Sequence, residues 1–252
     1  MINKQVKGII LAGGKGTRLH PITKIISKHL LPIYKKPMIF YSVDLLRKMG
    51  IEKILIISDQ KNIKLLRILL DSSYKYKNFI EYKVQKQPNG IGEAFIIGEK
   101  FIGNNNVCLI LGDNIFYGGI DLLKILKSSL NNLKNNFCTI IGKKVKNTQD
   151  FGIAYFNKKK QLSNIIEKPK KSSSKTAVLG LYFFTNDVVQ KAKTAKPSKR
   201  GELEITSIIK MFINEKKIKL KNLKNTFWAD CGTFESLLNA SNKIKSFSRL
   251  NK

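Results

Sequence analysis

The sequence predicts an α/β protein, a doubly wound sheet that is mixed but mostly parallel, with helices on its faces. Three observations predict it. Through the first half of the chain, short apolar runs alternate with stretches of helical spacing. The first of these runs, residues 6–11, breaks directly into Ala12-Gly13-Gly14-Lys15-Gly16, as a buried strand does where it ends in a tight loop. At 252 residues the chain is long enough to be one large domain with a sizeable core.

The elements follow in order. Residues 6–12 are the first strand. Residues 37–49 read as a helix, with Pro37 in its first turn and Gly50 just past its end. The apolar run 54–57 is a buried strand, 62–70 a helix, 80–85 a strand and 92–101 a helix. Residues 107–111 form the next strand and 122–133 the next helix. The second half is more mixed: strands over 137–143, 152–156, 161–167 and 178–184, helices over 187–193, 203–212 and 234–244, and a Lys/Ser loop over 170–175. No repeat or low-complexity linker divides the chain. A single domain, 1–252, is expected, with a cut near 135 separating two subregions of one sheet.

Composition narrows the function classes. No stretch is apolar enough for long enough to span a membrane. Residues 1–5 lead straight into a strand and show no secretory signal, so a cytoplasmic protein is expected. Cys108, Cys138 and Cys231 lack metal-ligand spacing and read as buried thiols in a reducing compartment. The net charge of +30 invites a polyanion partner. It comes almost wholly from lysine, however, and the lysines are scattered through every segment in a chain also rich in Ile and Asn. That pattern suits drift in an AT-rich coding sequence better than a nucleic-acid-binding stripe, so no specific nucleic-acid partner is expected. His20 and His29 have neither zinc-site spacing nor triad partners and read as surface or loop residues.

The glycine loop carries the first chemistry. Glycines at a strand end let backbone N–H groups approach an anion, and Lys15 and Arg18 add positive charge there. A nucleotide polyphosphate is the expected ligand. The spacing is neither that of a Walker A loop, which needs Gly-Lys-Ser/Thr, nor that of a dinucleotide fingerprint, which needs glycine where Leu19 stands. Asp113, after the apolar run 107–111 and Gly112, is placed to hold a metal ion at a sheet edge, or to cap its own turn. Asp230 reads either as a second metal carboxylate or as a cap for the last helix. Gln85 offers an amide donor and acceptor to a pyrimidine edge, and Pro88-Asn89-Gly90 is a turn.

The run from the glycine loop through Arg18-Leu19-His20-Pro21, Ser27-Lys28-His29-Leu30-Leu31-Pro32 and Lys36-Pro37-Met38 resembles the N-terminal signature of the sugar-nucleotide pyrophosphorylases, and within them the thymidylyltransferase branch. The resemblance covers about residues 7–244. It implies a Rossmann-like nucleotidyltransferase fold with a nucleotide-binding subregion over about 1–135 and a sugar-phosphate-binding subregion over about 136–252. It implies dTTP and glucose 1-phosphate as substrates, Mg2+ as cofactor, a homo-oligomer and a place in deoxysugar synthesis. UTP in place of dTTP is the alternative, since Gln85 reads an edge that thymine and uracil share. A basic nucleic-acid-binding protein on an inactive fold is the more distant one.

Residue by residue, the resemblance puts Leu11, Gly13, Gly14, Gly16, Thr17, Gln85, Pro88, Gly90 and Asp113 on the nucleotide. It gives Arg18, Lys28 and Lys168 to catalysis, and Asp113 and Asp230 to the metal. Gly152, Glu167, Lys168, Val178, Tyr182 and Glu202 fall to the sugar phosphate, with Glu204 as a helix cap. The chain departs from the family pattern at Glu93 (Gln is usual), Phe151 (Tyr), Ala229 (Leu), Cys231 (Thr) and Ser207 (Asp). Longer relatives continue for several helices beyond residue 252, so feedback control through that region is not expected.

Overall fold

A computed structural model of the protein describes residues 5–73, 76 and 79–250. The reading of residues 1–5 as leader-free falls almost wholly outside that set. The fold is α/β, as the sequence predicts, and the chain gathers into two compact units, each drawn from separated stretches.

The first unit comprises Gly8–Pro88, Ile110–Leu122 and the chain from Asn225 onward. Its strands Val6–Leu11, Ile54–Ser58 and Ile80–Val84 run parallel, in register Gly8↔Ile54 and Ile54↔Ile80. Every residue of Ile54–Ser58 is buried, as expected for a strand covered on both faces. Helix Ile39–Lys48 buries Ile39, Tyr41, Val43, Leu45 and Leu46 and stops at Gly50, whose φ of 76° only glycine adopts freely. Its start lies two residues later than the sequence suggests, because Pro37 instead pairs with Pro32 in a two-residue ladder. Helix Gln60–Asp71 starts two residues earlier than expected. Asp59 caps it, accepting hydrogen bonds from Asn62 N at 2.9 Å and from Asn62 Nδ2 at 2.6 Å.

Sequence reasoning missed an antiparallel ribbon in this unit. Strand Asn114–Tyr117 pairs with Phe227–Asp230, Asn114 opposite Asp230. This ribbon and helix Phe234–Leu250 build an apolar cluster with Ile33, Met38, Tyr41, Ile115, Ala229, Cys231, Ala240 and Ile244. Residues 225 onward therefore belong with the N-terminal stretch, whereas a cut near 135 would leave them with the second half.

The second unit comprises the residues up to Lys7, Asn89–Leu109 and Leu123–Lys224. Strand Thr176–Phe184, buried throughout, runs antiparallel to Cys138–Lys144 and to Gly152–Phe156. Gly152–Phe156 also pairs with Leu162–Glu167, with Glu167 opposite Gly152. Ile218–Asn222, unforeseen from the sequence, lies parallel to Cys138–Lys144. The expected helix over 92–101 is two short ones, Glu93–Ile97 and Glu99–Ile102, because Gly98 stands at their junction. Helix Ile205–Asn214 buries Ile205, Ile208, Ile209 and Phe212. Phe184 meets Phe95 edge to face and stacks on Phe212, with ring centroids 5.5 and 5.3 Å apart. Among the described residues no helix is long and apolar enough to cross a membrane.

Candidate active site

In the first unit the site is built on strand ends. Val6–Leu11 delivers the glycine loop next to Ile54–Ser58, where Ala12 N donates to Ile57 O at 2.8 Å and Ser58 Oγ donates to Ala12 O at 2.6 Å. Gly14 and Gly16 hold φ of 94° and 60°, conformations that bring backbone N–H groups to the surface of the loop. Thr23 Oγ1 donates to Gly16 O at 2.7 Å and fixes the far side. A cleft of about 340 Å3 opens here, lined by Gly13, Gly14, Lys15, Gly16, Lys28, Asp59, Gln85 and Pro88 among others. Gln85 is only 5 % exposed, and its Oε1 would lie 3.2 Å from a side-chain carbon at position 13, so Gly13 leaves that amide room. Leu11 is half-buried at the strand end, while Thr17 and Arg18 are exposed on the short helix that follows.

Asp113 and Asp230 lie at the end of the ribbon. Asn114 faces Asp230 across it, and Cys231 N donates to Asp113 O at 2.9 Å. The Cys231 departure is thus absorbed by a backbone contact, with its side chain in the apolar cluster. Asp113 does not cap its own turn. Its Oδ2 accepts from Lys28 Nζ at 2.5 Å and its Oδ1 from Asn114 Nδ2 at 3.0 Å. Asn114 is itself held through its Oδ1 by Trp228 Nε1 at 2.8 Å. Burial alone would raise the Asp113 carboxyl. The charge of Lys28 and the two hydrogen bonds outweigh it and hold the group well below the usual carboxylate range. Lys28 is shifted upward: burial disfavours its charge, but Asp113 and Asp230 more than compensate. The last helix has Thr233 at its start rather than Asp230, with Thr233 Oγ1 accepting from Ser236 N at 3.1 Å. The Arg18 guanidinium lies against Gly232, where a Cβ would come within 2.6 Å of Nη2 and 3.1 Å of Asp230 Oδ1.

His20 is exposed, as anticipated, but His29 is 1 % exposed. Its Nδ1 lies 2.9 Å from Ser27 Oγ, and its ring occupies the space that a side chain at Gly112 would fill, 2.7 Å from Cδ2. Burial, with Lys28 adding to it, pushes its pKa down to about 3, so the ring is neutral at ordinary pH. The glycine before Asp113 was the available signal.

The second unit holds the remaining candidates. Glu167 ends its strand beside Gly152, where a Cβ would sit 2.8 Å from Thr206 Cγ2 and 3.4 Å from Glu167 Oε2. Burial first, and then the Glu204 charge, raise the Glu167 carboxyl. Lys168 is exposed with a left-handed φ of 42°, and its N–H donates to Phe151 O at 3.0 Å. The contact uses the Phe151 backbone and does not need a tyrosine hydroxyl there. Val178 and Tyr182 are buried on Thr176–Phe184, with Tyr182 stacked on Phe184 at 6.2 Å.

Arg200, which sequence reasoning gave no role, is the hub of the acids. Its Nη2 lies 2.7 Å from Glu204 Oε1, 3.1 Å from Glu202 Oε2 and 3.9 Å from Glu167 Oε1. Glu204 stands at the N-cap position of helix Ile205–Asn214, as expected, but its side chain makes no capping hydrogen bond. It is buried between Arg200 and Ser198 Oγ, 2.9 Å away. The Arg-to-Glu spacing of four in Arg200-Gly201-Glu202-Leu203-Glu204 was the signal. Gly90 is required by the backbone of Leu203. Its φ is 104°, and a Cβ would meet Leu203 O at 2.5 Å, while Leu203 N donates to Asn89 O at 2.6 Å and Gly92 N to Leu203 O at 2.8 Å. Glu93, where the family pattern has Gln, accepts from Asn89 Nδ2 at 3.1 Å.

Parallel strands that end in a glycine loop, with lysines and acids gathered at their carboxyl ends, define an α/β protein of the nucleotide-binding class. The chain belongs to the nucleotidyl transferase family, whose model matches residues 7–246. It is 44 % identical over 246 residues to the glucose-1-phosphate thymidylyltransferase of Neisseria meningitidis serogroup A, covering 97 % of this chain and 84 % of that one. Among solved structures it is similar to a Bacillus anthracis protein assigned as a glucose-1-phosphate thymidylyltransferase, crystallised with sucrose. That match has a TM-score of 0.86 and 35 % identity and covers 94 % of each chain. A UDP-glucose pyrophosphorylase complexed with UDP-glucose matches with a TM-score of 0.84 and 28 % identity over 96 % of this chain and 99 % of that one.

Proposed function

We propose that this chain joins dTTP to glucose 1-phosphate, forming dTDP-glucose and pyrophosphate. The observation that carries the reading is the gathering of Lys28, Asp113 and Asp230 in the unit that holds the glycine loop and Arg18. The relatives' names support the substrates. In the reaction an oxygen of the sugar phosphate forms a bond to the α-phosphorus, the bond from that phosphorus to the β-phosphate oxygen breaks, and pyrophosphate leaves with the electron pair. The attacking phosphate is already ionised, so no side chain needs to remove a proton. What the protein supplies is alignment and neutralisation of negative charge.

Arg18 and the loop amides bind the triphosphate and stabilise the leaving pyrophosphate. Lys28 moves from Asp113 to the α-phosphate. Gln85 pairs with the pyrimidine edge from its buried seat, and the Gly13 loop leaves that seat open. Glu167 and Glu202 accept hydrogen bonds from sugar hydroxyls, and Lys168 binds the sugar phosphate. Asp113 and Asp230 suit Mg2+. They are two carboxylates at one ribbon end, Asp113 is kept ionised, and among the described residues no cluster of three or more His, Cys, Asp or Glu forms a dedicated cage. Bound there, the cation would offset phosphate charge.

A second reading, transfer from UTP, is favoured only by the shared edge that Gln85 would read and by the similarity to the UDP-glucose enzyme. The test is pyrophosphate release with Mg2+, glucose 1-phosphate and each of dTTP, UTP, CTP, ATP and GTP. Fastest release with dTTP is expected, with UTP second. Faster release with UTP would move the chain to the second reading, and release with none would overturn both.

A further inference from the structure

Asp113 already holds a cationic partner without a metal. Both of its carboxylate oxygens have partners: Lys28 Nζ at 2.5 Å on one, and the Asn114 amide at 3.0 Å on the other. The Lys28 and Asp113 side chains are 12 % and 16 % exposed, so the pair is shielded from water. Asn114 cannot turn away freely, since Trp228 Nε1 holds its Oδ1 at 2.8 Å. Asp113 and Asp230 also dominate the favourable electrostatics of the Lys28 ammonium. One positive charge therefore already sits on Asp113, one of the two carboxylates assigned to a divalent cation.

A cation entering from solvent has to displace that ammonium from Oδ2. Doing so would leave Lys28 largely buried and without its anionic partner, which is unfavourable. Mg2+ also gives up its water reluctantly and gains little from two carboxylates alone. A triphosphate changes both conditions. It offers Lys28 another anion, and it brings phosphate oxygens to complete the cation's coordination.

We propose that Lys28 is a built-in stand-in for the divalent cation: in the nucleotide-free protein its ammonium occupies the seat on Asp113, and a metal ion is admitted only when a triphosphate draws the ammonium away. The inference rests on the reading of Asp113 and Asp230 as a metal site. It makes Lys28 a gate on metal loading in addition to a phosphate-binding residue. Free metal is then kept off the site until nucleotide arrives, and the unliganded protein carries no exposed pair of ionised carboxylates.

The experiment is titration of Mn2+ into nucleotide-free protein, with the free ion followed by electron paramagnetic resonance. Wild type, Lys28→Met, Lys28→Arg and the double variant Lys28→Met/Asp113→Asn are compared, each first shown to melt cooperatively. Removing the competing charge in Lys28→Met is expected to tighten Mn2+ binding by about tenfold or more, the scale of one charge-assisted hydrogen bond. Lys28→Arg, which keeps the charge, is expected to stay as weak as wild type. Wild type binding Mn2+ as tightly as Lys28→Met would overturn the proposal, and so would Lys28→Arg tightening equally. The double variant separates the two layers. If Asp113→Asn abolishes the binding gained in Lys28→Met, the metal site stands. If it leaves that binding unchanged, the metal reading fails and takes the gate with it.

Discussion

Asp113 and Glu167 are carboxylates of similar chemistry set at or just past strand ends, and their surroundings push them in opposite directions. Asp113 faces a lysine, an amide and a neutral histidine, and is held well below the usual carboxylate range. Glu167 is buried beside another acid, Glu204, and is raised, with Arg200 as a distant neutraliser at 3.9 Å. On the proposed reading, the site that would meet cations and phosphates keeps its acid ionised. The site that would meet sugar hydroxyls can crowd its acids, because neutral hydroxyl donors add no charge to the cluster. The first unit therefore depends on individual ion pairs, and the second on the one arginine that spans three acids.

The largest break in that contrast is expected from Asp113→Asn. Turnover should fall by about 10³-fold, the scale of losing a principal electrostatic partner. Lys28 would lose its partner, so stability should drop by up to about 3 kcal/mol in chemical denaturation, fully shielded pairs setting the upper end. Arg18→Ala sharpens the comparison, because Arg18 is exposed. Turnover should drop about 100-fold while stability stays within about 0.5 kcal/mol. Near-normal turnover in that variant would remove Arg18 from the mechanism.

Two glycines separate function from folding. A Cβ at Gly232 would meet the Arg18 guanidinium at 2.6 Å, so Gly232→Ala should lower turnover by about tenfold through a displaced Arg18, with an unchanged melting temperature. A Cβ at Gly90 would meet backbone at 2.5 Å and a φ of 104°, so Gly90→Ala should destabilise by about 1–3 kcal/mol. In the second unit, Arg200→Gln should raise the KM for glucose 1-phosphate by about tenfold with little change in that for dTTP, since only the acid cluster loses its hub. An equal rise in both would show that Arg200 acts beyond that cluster.

The last effect concerns His29. Its folded pKa is about 3 and its ordinary value 6.5. Between those values the unfolded chain binds a proton that the folded protein does not, so stability falls as pH drops through that window, by about 1.4 kcal/mol per pH unit at most. The depressed Asp113 adds stability above its ordinary pKa and loses it only below about pH 4. Denaturation midpoints at pH 7 and pH 5 in metal-free buffer should therefore differ less in His29→Gln than in wild type. An unchanged difference would mean that His29 does not titrate as its burial implies.

Much of the fold was legible because the long buried strands announce themselves as unbroken apolar runs, as in Ile54-Leu55-Ile56-Ile57. The ribbon of Asn114–Tyr117 and Phe227–Asp230 was not, since four-residue strands joined across more than a hundred positions leave no periodic trace. Asp113 and Asp230 could be singled out from their motifs, but their convergence follows from that ribbon. His29 and Arg200 went unread for a related reason. Burial behind Gly112 and the clustering of Glu167 with Glu204 are set by tertiary packing, and local spacing carried only hints of either.

The most direct measurement is the reverse reaction: wild type incubated with dTDP-glucose, pyrophosphate and Mg2+, beside Asp230→Asn. Formation of dTTP and glucose 1-phosphate by wild type, reduced by about 100-fold or more in the variant, is the predicted result. No dTTP from wild type, or equal rates in the two proteins, would contradict the assignment of transfer chemistry to the ribbon end.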